Sequence, residues 1–303
     1  MKVLTTETPA LFEAAVEEAA RLLKAGEVLA LPTETVYGLA GNAFDAAAVR
    51  RIFEAKGRPA HNPLIVHVCS IEMARGVVAE WPERAEDVAR KYWPGPLTLV
   101  LPKAATIPDE VTAGGATVAV RWPSHPFMQA VIRRCGFPLA APSANRSNGV
   151  SPTNVGHVIA SLDGRIPLAI DGGQSQVGIE STVFDVLANR VLRPGMISAR
   201  ELQAQSGVNM EGALRSPGLL DKHYSPHGRV ILATWKNSRD AKEIALRNQA
   251  RLESTRVIAH EIIPMDAGFA AVAVIPHDTE AYARALYAEL HRCDESGAEW
   301  ILV

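Results

Sequence analysis

Cysteine is scarce: Cys69, Cys135 and Cys293 are the only three among 303 residues, and no two form a CxxC pair. An odd, dispersed set of thiols fits a reduced cytoplasm and excludes a cysteine-rich zinc site. No apolar run approaches the ~18 residues of a membrane span, so no membrane partner is expected. The first twenty residues carry Glu7, Glu13, Glu17 and Glu18, the wrong charge for a signal or transit peptide. Neither sign of charge dominates. A net charge of -2 argues against a bulk electrostatic grip on nucleic acid, so no stable nucleic-acid binding is expected. Walker A, GxGxxG and HExxH patterns are all missing, which removes P-loop enzymes, classical dinucleotide binders and zincins. No GxSxG elbow surrounds Ser143, so a nucleophilic serine is unsupported.

What is present is a chain with a core. Hydrophobic residues make up 48% and charged residues 21%, a globular balance for one large domain or two ordinary ones. Thr8-Pro9 reads as an N-cap with proline at N1, and Gly26 as a helix stop. Residues 28–31, 64–68, 97–101, 117–120, 139–141 and 182–186 read as strands. Helical spacing runs through 45–57, 82–93, 125–134 and 153–162 between them. A hairpin is expected around Ala188-Asn189. The alternation predicts an α/β fold with a mixed sheet. Periodicity lapses near Gly207 and resumes after Gly228, which predicts a larger α/β domain over 1–206, a linker over 207–228 and a small α/β domain over 229–303.

Two runs stand out. Lys56-Gly57-Arg58-Pro59 with Asn62-Pro63-Leu64 puts two cations on a turn after a helix. Pro142-Ser143-Ala144-Asn145-Arg146-Ser147 puts a hydroxyl and a carboxamide after an apolar strand. Cations, hydroxyls and amides grip phosphate oxygens without covalent chemistry, so a polyphosphate substrate is the first hypothesis. Lys56 also complements its helix dipole. The prolines around Arg58 stiffen its loop, which suits a phosphate fork. His67 shares a strand face with Ile65, opposite Leu64, Val66 and Val68. It reads as a half-buried core histidine or as a ligand. Arg121 ends a strand on the face of Thr117 and Ala119; it either holds a carboxylate bidentately or stacks on Trp122. Ser143 and Asn145 fit an ordinary turn as well as a site, and Ser151-Pro152-Thr153-Asn154 can cap the next helix. Thr33 to Leu39, Gly178 to Thr182 and Arg193-Pro194-Gly195 place further polar groups at strand ends, where open α/β sheets bind ligands.

Together the runs LPTETVYGLA, EAKGRPAHNPLIVHV, WPGPLTLVLP, VAVRWPSHP, APSANRSNGVSPT, GIESTVFD and VLRPGMI resemble the threonylcarbamoyl-AMP synthases, the YrdC-like family, in their two-domain form. The linker run SPGLLDKHYSPHG resembles the interdomain segment of that form. The resemblance implies a YrdC-like mixed twisted sheet with an open cavity, plus a small Rossmann-like α/β C-terminal domain. It implies synthesis of L-threonylcarbamoyladenylate and pyrophosphate from L-threonine, bicarbonate and ATP. A downstream tRNA threonylcarbamoyl transferase would consume the product in the cytoplasm. Magnesium would accompany ATP, with no metal held by the protein alone.

By motif, Lys56, Arg58, Asn62, Thr117, Ser143, Ser151 and Arg193 would face the nucleotide, and Asn145 the reacting phosphate. Thr35, His67, Arg121, the Ala141 backbone and Ser181 would surround threonine. Tyr224 on the linker would fold over the pocket. In one respect the chain departs from the family as resembled: it stops at Val303, where a further loop and helix are expected. Two other readings stand beside this one. Another carbamoyl-adenylate-forming carbamoyltransferase would carry acylphosphatase-like and CxxC modules, which are missing here. A non-enzymatic double-stranded RNA-binding module would want a basic stripe.

Overall fold

The computed structural model describes residues 1–203, 225–265 and 267–303. Two compact units separate among them: 1–147 with 151–203, and 148–150 with 225–303. The linker residues Lys222, His223 and Tyr224 lie outside the described residues. No described helix is long and apolar enough to cross a membrane.

The first unit runs β1 (Lys2–Thr5), α1 (Pro9–Lys24), β2 (Leu29–Leu31), β3 (Gly38–Asn42), α2 (Ala46–Lys56), β4 (Ile65–His67), α3 (Ile71–Arg75), α4 (Glu83–Tyr92), β5 (Leu97–Pro102), α5 (Asp109–Thr112), β6 (Thr117–Arg121), α6 (Pro126–Cys135), β7 (Leu139–Ala140), α7 (Val155–Leu162), β8 (Leu168–Asp171), β9 (Thr182–Asp185), β10 (Arg190–Arg193) and α8 (Ala199–Gln203). Its ten strands form one mixed sheet in the order β1-β8-β2-β3-β7-β4-β6-β5-β9-β10.

Local chemistry sets the helix ends. Thr8 caps α1 by accepting from the Leu11 N–H, with Pro9 in the first turn. Asp45 caps α2 through the Ala47 N–H, and Gly57 ends it at φ 60°, a left-handed conformation that glycine adopts without a Cβ penalty. That stop turns the chain so that Lys56 and Arg58 leave α2 toward β4.

Alternation divides the sheet's side chains between two layers. Leu29, Leu31, Ala40, Leu139, Leu168 and Ile170 pack with α1 and α6, through residues such as Val16, Leu23, Phe127 and Ile132. Ala30, Leu39, Val66, Val118, Val120, Leu99 and Phe184 face the main core with α2, α4 and α7. At the β4-β6-β5-β9-β10 end a smaller apolar cluster of strand residues, Val100, Val183 and Leu192 with Ala119 against them, packs separately from the main core.

The sequence reading missed β1, β3 and β8. In β3 the signal is hidden by glycine. A Cβ at Gly38 would lie 3.3 Å from Ala141 Cβ, and one at Gly41 would lie 3.2 Å from both Ile52 and Val28. Close approach of neighbouring elements, not β propensity, selects the residues there.

The second unit runs β11 (Arg229–Ile231), α9 (Ser238–Arg247), β12 (Thr255–Ala259), β13 (Ala271–Val274), α10 (Thr279–Glu295) and β14 (Trp300–Leu302). Its sheet, β11-β14-β12-β13, is parallel at every pairing. The last strand is therefore interior: β14 pairs with both β11 and β12. Ile231, Ala241, Ala245, Val257, Ala259 and Leu302 form its small core.

Candidate active site

Parallel pairing of β4 and β6 sets His67 directly beside Arg121. Arg121 Nη1 donates to Thr35 Oγ1 at 2.8 Å, and Nε donates to the Gly95 carbonyl at 3.3 Å. Nη2 lies 2.7 Å from Glu34 Oε1, in an ion pair whose side chains are only 4% and 6% exposed. A guanidinium has five N–H donors, so these contacts leave about two for a ligand. Arg121 therefore grips Glu34 and Thr35 instead of lying stacked at the surface. Burial pushes the Glu34 carboxyl up, but the Arg121 charge and the Ser124 backbone N–H outweigh it and hold the group below its ordinary value.

His67 is buried, and that burial together with Arg121 drives its pKa from 6.5 to about 3, against an opposing pull from Glu34. It is a neutral imidazole, and its Nδ1 has no hydrogen-bond partner among the described residues. Asn62 Nδ2 is likewise buried and unpartnered. Buried polar atoms left open in a native fold mark places where a ligand completes the bonding.

Lys56 is 2% exposed. Its ammonium donates to the carbonyls of Ser143, at 2.6 Å, and Asn145, at 2.5 Å. It therefore clamps the Ser143-Ala144-Asn145 loop. Burial first, and then the neighbouring Arg58 charge, lower its pKa well below the ordinary value. The loop is held from its other side as well: Gly38 bridges Ser143, and the Ala144 N–H bonds the Tyr37 carbonyl at 2.7 Å. Arg58 Nε and Nη2 donate to the carbonyls of Asn62 and Pro63, which shapes the turn into β4.

A third group sits on β5, β9 and β10. Ser181 Oγ is 2.7 Å from Thr98 Oγ1. Arg193 donates to the Ser181 carbonyl through Nε at 3.1 Å and Nη2 at 2.9 Å, and to Ser181 Oγ at 3.1 Å. Ser151 Oγ bonds Glu180 next door at 2.5 Å. Thr117 begins β6, exposed, on the face of Ala119 and Arg121. The Ala141 N–H is already committed to the Ile65 carbonyl at 2.9 Å.

The sequence-predicted residues thus fall into bonded sets. Thr35 and Arg121 meet beside His67, Lys56 meets Ser143 and Asn145, Arg58 meets Asn62, and Ser181 meets Arg193. Thr117 stands apart from these sets at the exposed start of its strand. Tyr224 lies outside the described residues. Sequence reasoning misses Glu34, Thr98 and Glu180. The signal for Thr98 was available: a threonine inside the apolar run of residues 97–101 is fully buried, and such a hydroxyl needs a partner.

Comparison with known proteins follows the same lines. The Sua5/YciO/YrdC family model, described as telomere recombination, matches residues 21–195. The model for the threonylcarbamoyl-AMP synthase C-terminal domain matches residues 183–303. A threonylcarbamoyl-AMP synthase from Pyrococcus abyssi is 40% identical over 299 residues, 94% of this chain and 86% of that protein. One from Bacillus subtilis is 45% identical over 222 residues, 70% of this chain and 64% of that protein. The crystal structure of P. abyssi Sua5 complexed with L-threonine superposes with a TM-score of 0.88 at 36% identity, covering 99% of this chain and 90% of that one.

Proposed function

The chain belongs to the Sua5/YciO/YrdC family in its two-domain form, and from that membership we propose the reaction its site carries out: L-threonine, bicarbonate and ATP give L-threonylcarbamoyladenylate and pyrophosphate. The threonine amine attacks bicarbonate carbon, and hydroxide leaves with an amine proton as water. A carbamate oxygen then attacks the α-phosphorus, and pyrophosphate departs with its electron pair. A tRNA threonylcarbamoyl transferase in the cytoplasm takes the threonylcarbamoyl group onward and releases AMP.

The observation that carries this reading is the buried Arg121 guanidinium, fixed by three contacts and holding two N–H groups in reserve. It suits the threonine carboxylate, with Thr35, His67, Ser181 and the Ala141 backbone around the rest of the amino acid. Lys56, Arg58, Asn62, Thr117, Ser143, Ser151 and Arg193 take the nucleotide, and Asn145 the reacting phosphate. The low pKa of His67 and the ion-paired state of Glu34 make both poor general bases. Catalysis then rests on positioning and on charge stabilisation, and the proton balance stays with the substrates.

Magnesium, on this reading, travels with the nucleotide. Glu34 is paired with Arg121 and Glu180 is bonded to Ser151, so these donors do not form a protein cage for a hard cation. No step is assigned to it. The test is pyrophosphate release from ATP, measured with each substrate omitted in turn. Release that needs both threonine and bicarbonate supports the proposal. Release with ATP alone, or with a different amino acid in place of threonine, overturns it.

A further inference from the structure

A second cluster stands apart from this chemistry, on the small C-terminal unit. β12 and β13 are adjacent and parallel, registered from Arg256 opposite Ala271 to Ala259 opposite Val274, so their carboxyl ends are level. The Ile275 N–H continues the pairing onto the Ala259 carbonyl at 2.9 Å. His260 follows β12 directly. His277 follows β13 by three residues and precedes Asp278, which caps α10. Their Nδ1 atoms lie 3.2 Å apart in rings only 10° from parallel. Glu261 Oε1 is 3.6 Å from His277 Nε2, and one ligand atom from each of the three residues falls within 4.8 Å of the others. All three side chains are exposed, and the His260 ring rests its edge against Tyr282 at 5.2 Å.

We propose that His260 and His277 bind a zinc-class divalent cation through their Nδ1 atoms, with Glu261 as the carboxylate that orients His277. The spacing supports it. Two imidazoles on a tetrahedral ion at ~2.0–2.1 Å have nitrogens about 3.3 Å apart, close to the separation seen. Tautomers support it as well. A carboxylate beside Nε2 favours the proton there and leaves the Nδ1 lone pair facing His260, the arrangement by which carboxylates usually orient metal-bound histidines. In the free chain one N–H of His260 fills the gap. An ion replaces that proton once the exposed rings, which now face each other nearly head-on, tilt so that both lone pairs converge on it. Imidazole donors select zinc, nickel or copper over magnesium and calcium. The place also suits a ligand, because open parallel sheets bind at the carboxyl ends of their strands. Two protein nitrogens leave coordination positions for water.

The experiment is zinc titration of the full-length, tag-free chain by calorimetry, with zinc alone as probe and magnesium as competitor. The expected result is one equivalent of zinc that the doubly substituted His260→Ala, His277→Ala chain does not bind. Glu261→Gln should weaken it by roughly tenfold or more, the usual cost of losing an orienting partner. X-ray absorption of the zinc-loaded wild type should count two imidazoles, a readout that needs no variant. Equal zinc binding by the doubly substituted chain, displacement by magnesium, or a coordination shell without imidazole would each overturn the proposal.

Discussion

The two sheets treat charge in opposite ways. The ten-stranded sheet buries it: Lys56, Arg58, Arg121 and Arg193 are each 8% exposed or less, and Glu34 is 4% exposed. The four-stranded sheet keeps it outside: Arg251 and Glu299 pair with side chains 64% and 50% exposed. Burying an ion costs several kcal/mol by rough estimate, even after relaxation, and the cost is recovered only where partners are well placed. The first unit bears that cost at the ends of α2, β6 and β10. Each buried cation there bonds a carbonyl, a carboxylate or a hydroxyl, and the loops that supply those acceptors are the ones the motifs name. Charge burial thus separates the sheet that carries the candidate active site from the four-stranded sheet.

The sharpest way to break this contrast is Arg121→Ala. Removing the guanidinium strands the Glu34 carboxylate in the core. Breaking a buried pair from one side destabilises by roughly 3–5 kcal/mol, which urea unfolding would register. Arg121→Met combined with Glu34→Gln should recover most of that loss, yet threonine KM should stay raised if Arg121 holds the amino acid's carboxylate. Recovery of both stability and KM would show that the pair is structural only.

Lys56→Met comes next. It leaves the Ser143 and Asn145 carbonyls without their donor. A buried group left unpaired costs about 1–3 kcal/mol. The larger effect should fall on turnover, because the loop that carries Ser143 and Asn145 loses its clamp. A drop of about a hundredfold is expected, in line with the loss of one preorganised donor. Steady-state kinetics with varied ATP reads it, and an unchanged kcat would remove Lys56 from the site.

Gly195→Ala probes the third set through the backbone alone. A Cβ at Gly195 would lie 2.5 Å from the Thr182 nitrogen and 2.7 Å from the Glu180 carbonyl oxygen. Backbone cannot swing away as a flexible side chain does, so the Glu180–Thr182 segment must move, at about 1–3 kcal/mol. That movement should also pull Ser181 from Arg193. Calorimetric Tm and threonine KM should shift together.

How much of this was legible beforehand follows the same division. Alternation placed Ile65 and His67 on one face of β4 and its apolar residues on the other, and Leu64, Val66 and Val68 do lie in the main core. Gly57 announced the turn that aims Lys56 and Arg58. The hairpin at Ala188-Asn189 was readable, and Asn189 there has φ 50°. Partnerships were not readable. Whether Arg121 stacks on Trp122 or grips Glu34 depends on a contact 87 positions apart in the chain, and no local pattern encodes it. The His260 and His277 pair escaped for the same reason, since 17 residues separate them without a motif and only parallel pairing brings them level.

A pH series sharpens the contrast further. The folded pKa of His67 is about 3 against an ordinary 6.5, so between those values the unfolded chain takes up a proton that the folded chain refuses. Stability from this group is complete above pH 6.5 and drains away as pH falls toward 3. Glu34, also lowered, adds a loss in the same direction, but only below its ordinary 4.5. Burial lowers His125 too, so wild type alone cannot isolate His67. His67→Gln should flatten the part of the decline between pH 6.5 and 4.5 that belongs to it. An identical slope in wild type and variant would mean that the imidazole is not held neutral.

The smallest effect belongs to the outer sheet. Arg251 Nη2 lies 2.6 Å from Glu299, and Ser254 Oγ donates to the same carboxylate at 3.0 Å. The hydrogen bond to Glu299 raises the Arg251 pKa, which on geometry alone marks a good ion pair. Water and salt screen it, and two long side chains give up freedom to hold one geometry. Arg251→Ala should therefore leave both the unfolding midpoint and adenylate formation within error of wild type, at low salt and at high salt alike. A clear loss of stability at low salt that vanishes at high salt would mean that this exposed pair carries weight. The difference between the two sheets would then lie in where charge is kept and not in what it contributes.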